Sequence, residues 1–239
     1  SRFDSPEVPP ALVARFGSFG PPEKAAALGA LTGRASYALP LLDAVASGKI
    51  PRDQLTALHV RQLTQLGNPE VDRRVAASWG RIQQTSSEKQ AAIVRLEKVF
   101  NEAPLWAFDG GAGRGHFQKL CSPCHRIGAD GARLGPELTG AGRNGIRYFL
   151  ENIIDPNAVI GTDFQVTRVE TRGGDVLSGL LGSETPSALT LRTTAGDVVV
   201  AKGDIVHRST ADTSLMPEGL LDPLSQREQV ELLKFLTSQ

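Results

Sequence analysis

Hydrophobic positions change from a helical to a strand-like spacing along the chain. Through about residue 100, apolar side chains recur at helical intervals between glycine and proline breaks, as at Leu55, Leu58, Leu63 and Leu66. Asn68 before Pro69 is typical of a helix start, with a cap followed by proline in the first turn. The pattern predicts several short helices in this region.

Brief turns between short helices favour antiparallel helical hairpins stacked in the manner of HEAT repeats. An irregular helical bundle is the alternative, because the repeat period is poorly defined. Residues 101–112 interrupt the pattern with Pro104 and a glycine pair, which predicts a linker. We therefore expect a helical region over 1–104 and a second domain over 105–239.

Residues 163–209 are predicted to form strands. β-rich runs alternate there with glycine-containing turns, among them Gly173-Gly174-Asp175 and Ala195-Gly196-Asp197. The runs are 164–171, 176–181, 188–193, 198–201 and 205–208. Five short antiparallel strands predict a small barrel or curled sheet, so the expected fold class is mainly α with a β insert.

Composition excludes several classes of protein. The 239 residues are 40% hydrophobic and carry 26 basic and 26 acidic side chains, which is typical of a folded chain and argues against a nucleic-acid partner. No apolar run is long enough to span a membrane. The chain begins at Ser1, and we expect a processed protein or a piece of a longer one.

Chemistry is concentrated in one pentapeptide, Cys121-Ser122-Pro123-Cys124-His125. In this C-x-x-C-H spacing, two thiols can add to the two vinyl groups of one haem, and the next residue places an imidazole under the iron. The pattern predicts covalent attachment of a c-type haem, with Cys121, Cys124 and His125 as the binding residues.

Three other kinds of site can contain a C-x-x-C pair. A thioredoxin-like dithiol needs a preceding strand, whereas the residues before Cys121 look helical. A zinc site needs further ligands; His116 or His207 could add one, but the chain has no second cysteine pair. A structural disulfide across two residues is rare.

The flanking residues resemble class I cytochromes c. Gly113, Phe117 and Cys121 share one helical face, as in the first helix of those proteins, and Phe117 is expected to pack on Phe235 of the last helix. The stretch Gly135–Gly140 resembles their G-P-x-L-x-G loop. The resemblance implies that the Pro136 carbonyl orients His125 and that Leu138 lines the haem pocket.

Met216 is the expected sixth ligand of the iron. It is the only methionine, it precedes a proline and a predicted helix at 225–236, and its separation from His125 becomes ordinary for class I cytochromes once 163–209 is subtracted. His207 is the rival ligand, and an open iron is the third possibility. His116 is expected to be exposed, and His59 to be a packed or surface residue.

From residue 113 onward the chain resembles the planctomycete/verrucomicrobial-type haem-binding domain. The matching stretches are 121–127, 135–140, 151–156, 178–179 and 214–220; the helical part, with 48–51 and 79–80, resembles the repeats that precede that domain more weakly. The resemblance implies an exported, periplasmic electron-transfer module with one covalent haem c. Its partner would be a redox protein or an upstream dehydrogenase portion of a longer chain, and the chain itself is not expected to be the catalyst.

Two other functions remain open from the sequence. One is a haem enzyme or gas sensor with an open iron site. The other is an interaction scaffold in which the helical repeats bind a partner and the haem is structural.

Overall fold

The computed structural model describes residues 5–239, which divide into two compact units after Ile82. The first unit is helical and ends in a short strand. Its elements are α1 (Val8–Arg15), α2 (Pro21–Leu31), α3 (Ala35–Ala46), α4 (Ala57–Thr64), α5 (Pro69–Ser78) and β1 (Gly80–Ile82). Its core combines aliphatic side chains, among them the fully buried Leu31, Leu41 and Leu63, with the buried aromatic rings of Phe16 and Tyr37.

Capping residues set the helix starts of this unit. Asn68 Oδ1 accepts hydrogen bonds from the N–H groups of Glu70 and Val71, which confirms the predicted cap of α5. The run after Pro51 forms a 3-10 turn before α4 instead of one continuous helix. Thr56 caps α4 together with His59, so the helix begins after Leu55.

Four helices of the second unit surround one hydrophobic core. They are α6 (Ser87–Glu102), α7 (Gly110–Leu120), α8 (Gly145–Ile154) and α9 (Gln226–Thr237). Ile93 and Phe100 of α6 share this core with Phe149 of α8. The boundary between the two compact units therefore follows Ile82, and the predicted boundary at residue 104 is wrong. The break at Pro104 separates α6 from α7 within the second unit.

A β insert lies between α8 and α9, as the sequence predicts. Its strands are β2 (Val159–Gly161), β3 (Gln165–Thr171), β4 (Val176–Glu184), β5 (Ala188–Thr193), β6 (Gly196–Ala201) and β7 (Ile205–Ser214). Strands β3 to β7 form one antiparallel sheet in the order β6-β5-β4-β3-β7. The predicted mixture of helices with a β insert is confirmed at this level.

The five-stranded sheet is open but strongly curled. Its outer strands, β6 and β7, are joined by the three residues Lys202–Asp204. A flat sheet of five strands is about 19 Å wide, whereas a three-residue link spans at most about 14 Å. The sheet therefore bends until its edges approach, around a core of Val169, Leu189, Leu191 and Val200.

Across the described residues, no helix is long and apolar enough to cross a membrane.

Candidate functional site

The C-x-x-C-H motif forms a tight turn at the end of α7. Cys121 N–H donates to the Phe117 carbonyl at 2.8 Å, which closes the helix. His125 N–H then donates to the Cys121 carbonyl, also at 2.8 Å. The two cysteines and the histidine consequently lie on one compact turn that the helix carries.

A close crossing of α7 and α9 holds this turn in place. A Cβ built on Gly113 would lie 2.1 Å from the Glu231 carbonyl oxygen of α9, so only glycine allows the two backbones to approach this far. One turn later, the rings of Phe117 and Phe235 lie 5.5 Å apart between centroids. The predicted packing of these two phenylalanines is confirmed.

The glycine-rich segment after the motif folds back on it. The Cys124 carbonyl accepts hydrogen bonds from the N–H groups of Leu134, at 3.0 Å, and Gly135, at 2.7 Å. Leu138 N–H donates to the Arg126 carbonyl at 2.9 Å. These bonds place the residues around Pro136 directly beside the His125 side chain.

The His125 imidazole is held in one tautomer. Its Nδ1 lies 2.8 Å from the Pro136 carbonyl oxygen, which can only accept, so Nδ1 carries the proton. Gly135 lies against the ring, and a Cβ there would be 2.6 Å from Cε1. Within residues 5–239 no hydrogen bond to Nε2 is present. Burial lowers the pKa of His125, partly opposed by the Pro136 contact, so the ring is neutral with a lone pair on Nε2.

The two thiols of the motif are free and half-buried. Burial, together with repulsion from Cys124, raises the pKa of Cys121 to about 12, and burial also raises the pKa of Cys124. Both are therefore protonated at neutral pH. A dithiol nucleophile requires the thiolate, so this environment does not favour redox chemistry of the cysteine pair.

The two sides of the motif contact different apolar surfaces. Cys121, Leu138 and Met216 are partly buried and pack against the same helical core that contains Phe117. Cys124 instead packs beside a cluster formed by Leu134, Val166 of β3 and Leu180 of β4. The structure thus brings Met216 and Leu138 to the core around the motif, and the sheet covers its Cys124 side.

The other histidines have separate environments. His116 is half-buried, not exposed as expected from the sequence, because α9 packs over it and places Glu231 Oε2 3.8 Å from its Nε2. His207 is exposed on β7, opposite Glu170 of β3. His59 accepts a hydrogen bond from Thr56 N–H at 3.1 Å, which is a helix-capping role.

A group of polar residues beside Met216 was not identified from the sequence. Lys89, Asp155, Asn157 and Glu218 form connected hydrogen bonds there. Asp155 and Glu218 lie in the stretches 151–156 and 214–220, where no sequence pattern predicts that their side chains meet. Lys89 is distant from the others in sequence, so no local pattern connects it to them.

Among residues 5–239, no three His, Cys, Asp or Glu side chains converge as a metal site. Cys121, Cys124 and His125 therefore do not form a common chelate, although they lie on one turn. No protein-family model matches the chain. No curated protein sequence matches it significantly either.

Proposed function

We propose that the second unit is an electron-transfer module that carries one covalent haem c. The thiols of Cys121 and Cys124 attach the haem, and His125 and Met216 are the axial ligands of its iron. The observation that carries the proposal is the imidazole of His125, whose Nδ1–H donates to Pro136 while Nε2 keeps a free lone pair. A histidine that ligates a metal characteristically donates its other ring N–H to a carbonyl or carboxylate, which sets its tautomer and makes it a better ligand.

The donor set fits a haem better than the alternative groups. Zinc would draw both thiolates and the imidazole toward one point, and these side chains do not converge. Haem attachment requires the thiols and the imidazole to reach different atoms of one large planar group. The apolar side chains of Leu138 and Met216, on the same core as Cys121, provide the hydrophobic contacts that such a group needs.

When bound, the haem iron supplies reversible one-electron exchange. The residues of this chain tune that exchange: a thioether ligand from Met216 favours a higher reduction potential than a second imidazole would. Packing of β3 and β4 beside Cys124 restricts solvent at that side of the motif.

Attachment through C-x-x-C-H requires export, so we place the protein in the periplasm or another extracytoplasmic space. Its partner would be a redox protein or a linked dehydrogenase.

The finer architecture belongs to the same proposal. In the second unit, the crossing of α7 and α9 through Gly113 and the Phe117–Phe235 pair supports a class I cytochrome c core. In the first unit, α3 packs against both α2 and α5, and α4 packs against α5. The α2–α3 and α4–α5 contacts join consecutive helices, and the α3–α5 contact stacks one such pair on the other, which supports HEAT-like hairpins.

The test is expression with an export signal in a host that matures c-type cytochromes, followed by acid–acetone extraction. We expect the chromophore to stay with the protein, and Cys121→Ala combined with Cys124→Ala to abolish its retention. Ser122→Ala, at an intervening position of the motif, is the matched control and should retain the haem. Free extraction from the wild-type protein would refute the proposal.

Spectra of the retained chromophore distinguish the remaining functions. A low-spin spectrum with a thioether–iron band indicates the closed His125/Met216 site and electron transfer. High-spin features in the wild-type protein would favour an open-site enzyme or sensor. A haem-free variant that still folds and binds its partner would favour the scaffold.

A further inference from the structure

A chain of hydrogen bonds ties the Met216 segment to the residues that follow α8. Ser214 N–H donates to Asn157 Oδ1 at 2.8 Å, and Met216 N–H donates to Ser214 Oγ at 3.1 Å. On the other side of Met216, Glu218 Oε1 accepts from Asn157 Nδ2 at 2.7 Å. The same asparagine side chain therefore holds the backbone two residues before Met216 and the side chain two residues after it.

Lys89 connects this arrangement to α6. Its Nζ donates to Glu218 Oε1 at 2.7 Å and to Asp155 Oδ1 at 2.8 Å. Asp155 is only 5% exposed, and Lys89 is the cationic partner of this buried carboxylate. The Asp155 bond, followed by the Glu218 bond, raises the pKa of Lys89, and the Lys89 and Asn157 bonds lower the pKa of Glu218. The 2.7 Å contact between the Lys89 ammonium and the Glu218 carboxylate is a hydrogen bond of the stronger, charge-assisted type.

We propose that Asn157 and Glu218, supported by Lys89 and Asp155, are positioning residues that hold Met216 in place as an axial ligand. This inference rests on the proposed haem site and adds to it the residues that control the sixth ligand. A thioether is a weak, uncharged donor, so its occupancy of the iron depends on how little freedom its loop retains. Bonds on both sides of Met216 reduce that freedom before any ligand bond forms.

The test compares five variants of the haem-loaded protein, including the control Arg147→Gln and Met216→Ala, by titration of the ferric form with imidazole. Asn157→Ala and Glu218→Ala each remove bonds of the chain, and we expect imidazole to bind about tenfold more tightly, the equivalent of one lost hydrogen bond. Glu218→Gln keeps an acceptor oxygen for Lys89 and Asn157, so its affinity should return close to that of the wild type. Reduction potentials should fall in the two alanine variants and recover in Glu218→Gln.

Arg147→Gln is the matched control. Arg147 of α8 also binds α6, through Glu97 at 2.9 Å, and it binds Glu151 of its own helix at 2.9 Å; in the described part of the chain it has no bond to the Met216 segment. Its loss should lower stability without changing imidazole affinity.

A second readout needs no haem: amide exchange at Ser214 and Met216 should rise about tenfold in Asn157→Ala and stay unchanged in Arg147→Gln.

The outcomes separate this inference from the proposed function. If Met216→Ala opens the iron to imidazole while Asn157→Ala and Glu218→Ala behave like Arg147→Gln, the positioning role is wrong and the haem site stands. If Met216→Ala leaves imidazole affinity unchanged, ligation by Met216 is wrong and the inference falls with it. Unchanged amide exchange in Asn157→Ala would also overturn the positioning role.

Discussion

The two units use the same residue type, histidine, in opposite ways. In the helical unit, His59 Nδ1 accepts from the backbone N–H of Thr56, so its proton is on Nε2. In the second unit, His125 Nδ1 donates to the Pro136 carbonyl, so its lone pair is on Nε2. The His59 imidazole completes a helix cap, and the His125 imidazole presents an unshared lone pair on Nε2.

This difference shows that the backbone group facing a histidine decides its role. An N–H partner turns the ring into a structural acceptor, and a carbonyl partner turns it into a potential metal ligand. Trp79 also has a purely structural hydrogen bond in the helical unit, because its Nε1–H donates to the Leu55 carbonyl at 2.9 Å. These two side chains complete the fold of the helical unit, whereas the motif of the second unit keeps the lone pair of His125 Nε2 free.

Replacement of His125 or His59 by alanine, each in its own variant, should give the largest difference between the two units. His125→Ala should abolish the low-spin haem spectrum completely, because the proposed iron site loses its proximal ligand. His59→Ala should leave the spectrum unchanged and cost about 1 kcal/mol of stability, the usual value of a helix cap. Absorbance spectra and urea unfolding check both. An unchanged spectrum in His125→Ala would remove the contrast between the two rings.

Gly113→Ala should give the largest loss of stability in the second unit. The added Cβ would lie 2.1 Å from the Glu231 carbonyl oxygen, so α7 and α9 must separate. We expect a loss of roughly 3 kcal/mol from overpacking, measured as the shift of the unfolding transition followed by circular dichroism. A variant as stable as the wild type would show that the crossing is looser than described.

Acidification should weaken the helical unit through His59. Burial lowers the pKa of this histidine to about 4, from an ordinary value of 6.5. Between these values the unfolded chain binds a proton that the folded chain does not, so stability falls as the pH drops from 6.5 to 4. The loss is at most about 3 kcal/mol.

Fluorescence of the buried Trp79 during urea unfolding at pH 7 and pH 4.5 measures this effect. His59→Gln is the control, since glutamine can accept the Thr56 bond but does not titrate. An equal pH dependence in the variant would assign the effect to other groups.

Gly115→Ala should have the smallest effect on stability, and its sign should be opposite to that of Gly113→Ala. Gly115 lies in α7, two residues after Gly113, and a Cβ there has no neighbour within 4 Å. Alanine should therefore stabilise the second unit by about 0.5–1 kcal/mol, as expected for glycine replaced in a helix. Thermal unfolding of the two glycine variants measures the effect. A destabilising Gly115→Ala would mean that the helix tolerates no added side chain, and that the crossing at Gly113 is not special.

Local signals predicted most elements of the second unit. Alternating side chains and glycine turns predicted all five strands of the curled sheet, and Ser225 with Glu228 form the capping box that begins α9. The end of β7 was missed because its last residues, up to Ser214, are polar and do not alternate, which an edge strand tolerates. The contact of Pro136 with His125 was expected only through the resemblance.

Contacts between distant segments were beyond the reach of the sequence. The division after Ile82 depends on α6 packing against α8, and nothing local to α6 indicates its partner. The half-burial of His116 likewise depends on α9, more than 100 positions away. Lys89 meets Glu218 only because α6 passes the end of α8. Such long-range packing determines the candidate site as much as the motif does.

The ends of the curled sheet are direct neighbours. Gln165, the first residue of β3, pairs with Ser214, the last residue of β7, and paired strand residues lie about 5 Å apart. The chain therefore leaves the helices of the second unit and returns to them at two positions that lie side by side. A segment with this property can be gained, lost or exchanged in evolution without rearranging its host, so a short linker from Gln165 to Ser214 should yield a helical protein whose Cys124 side is open to solvent.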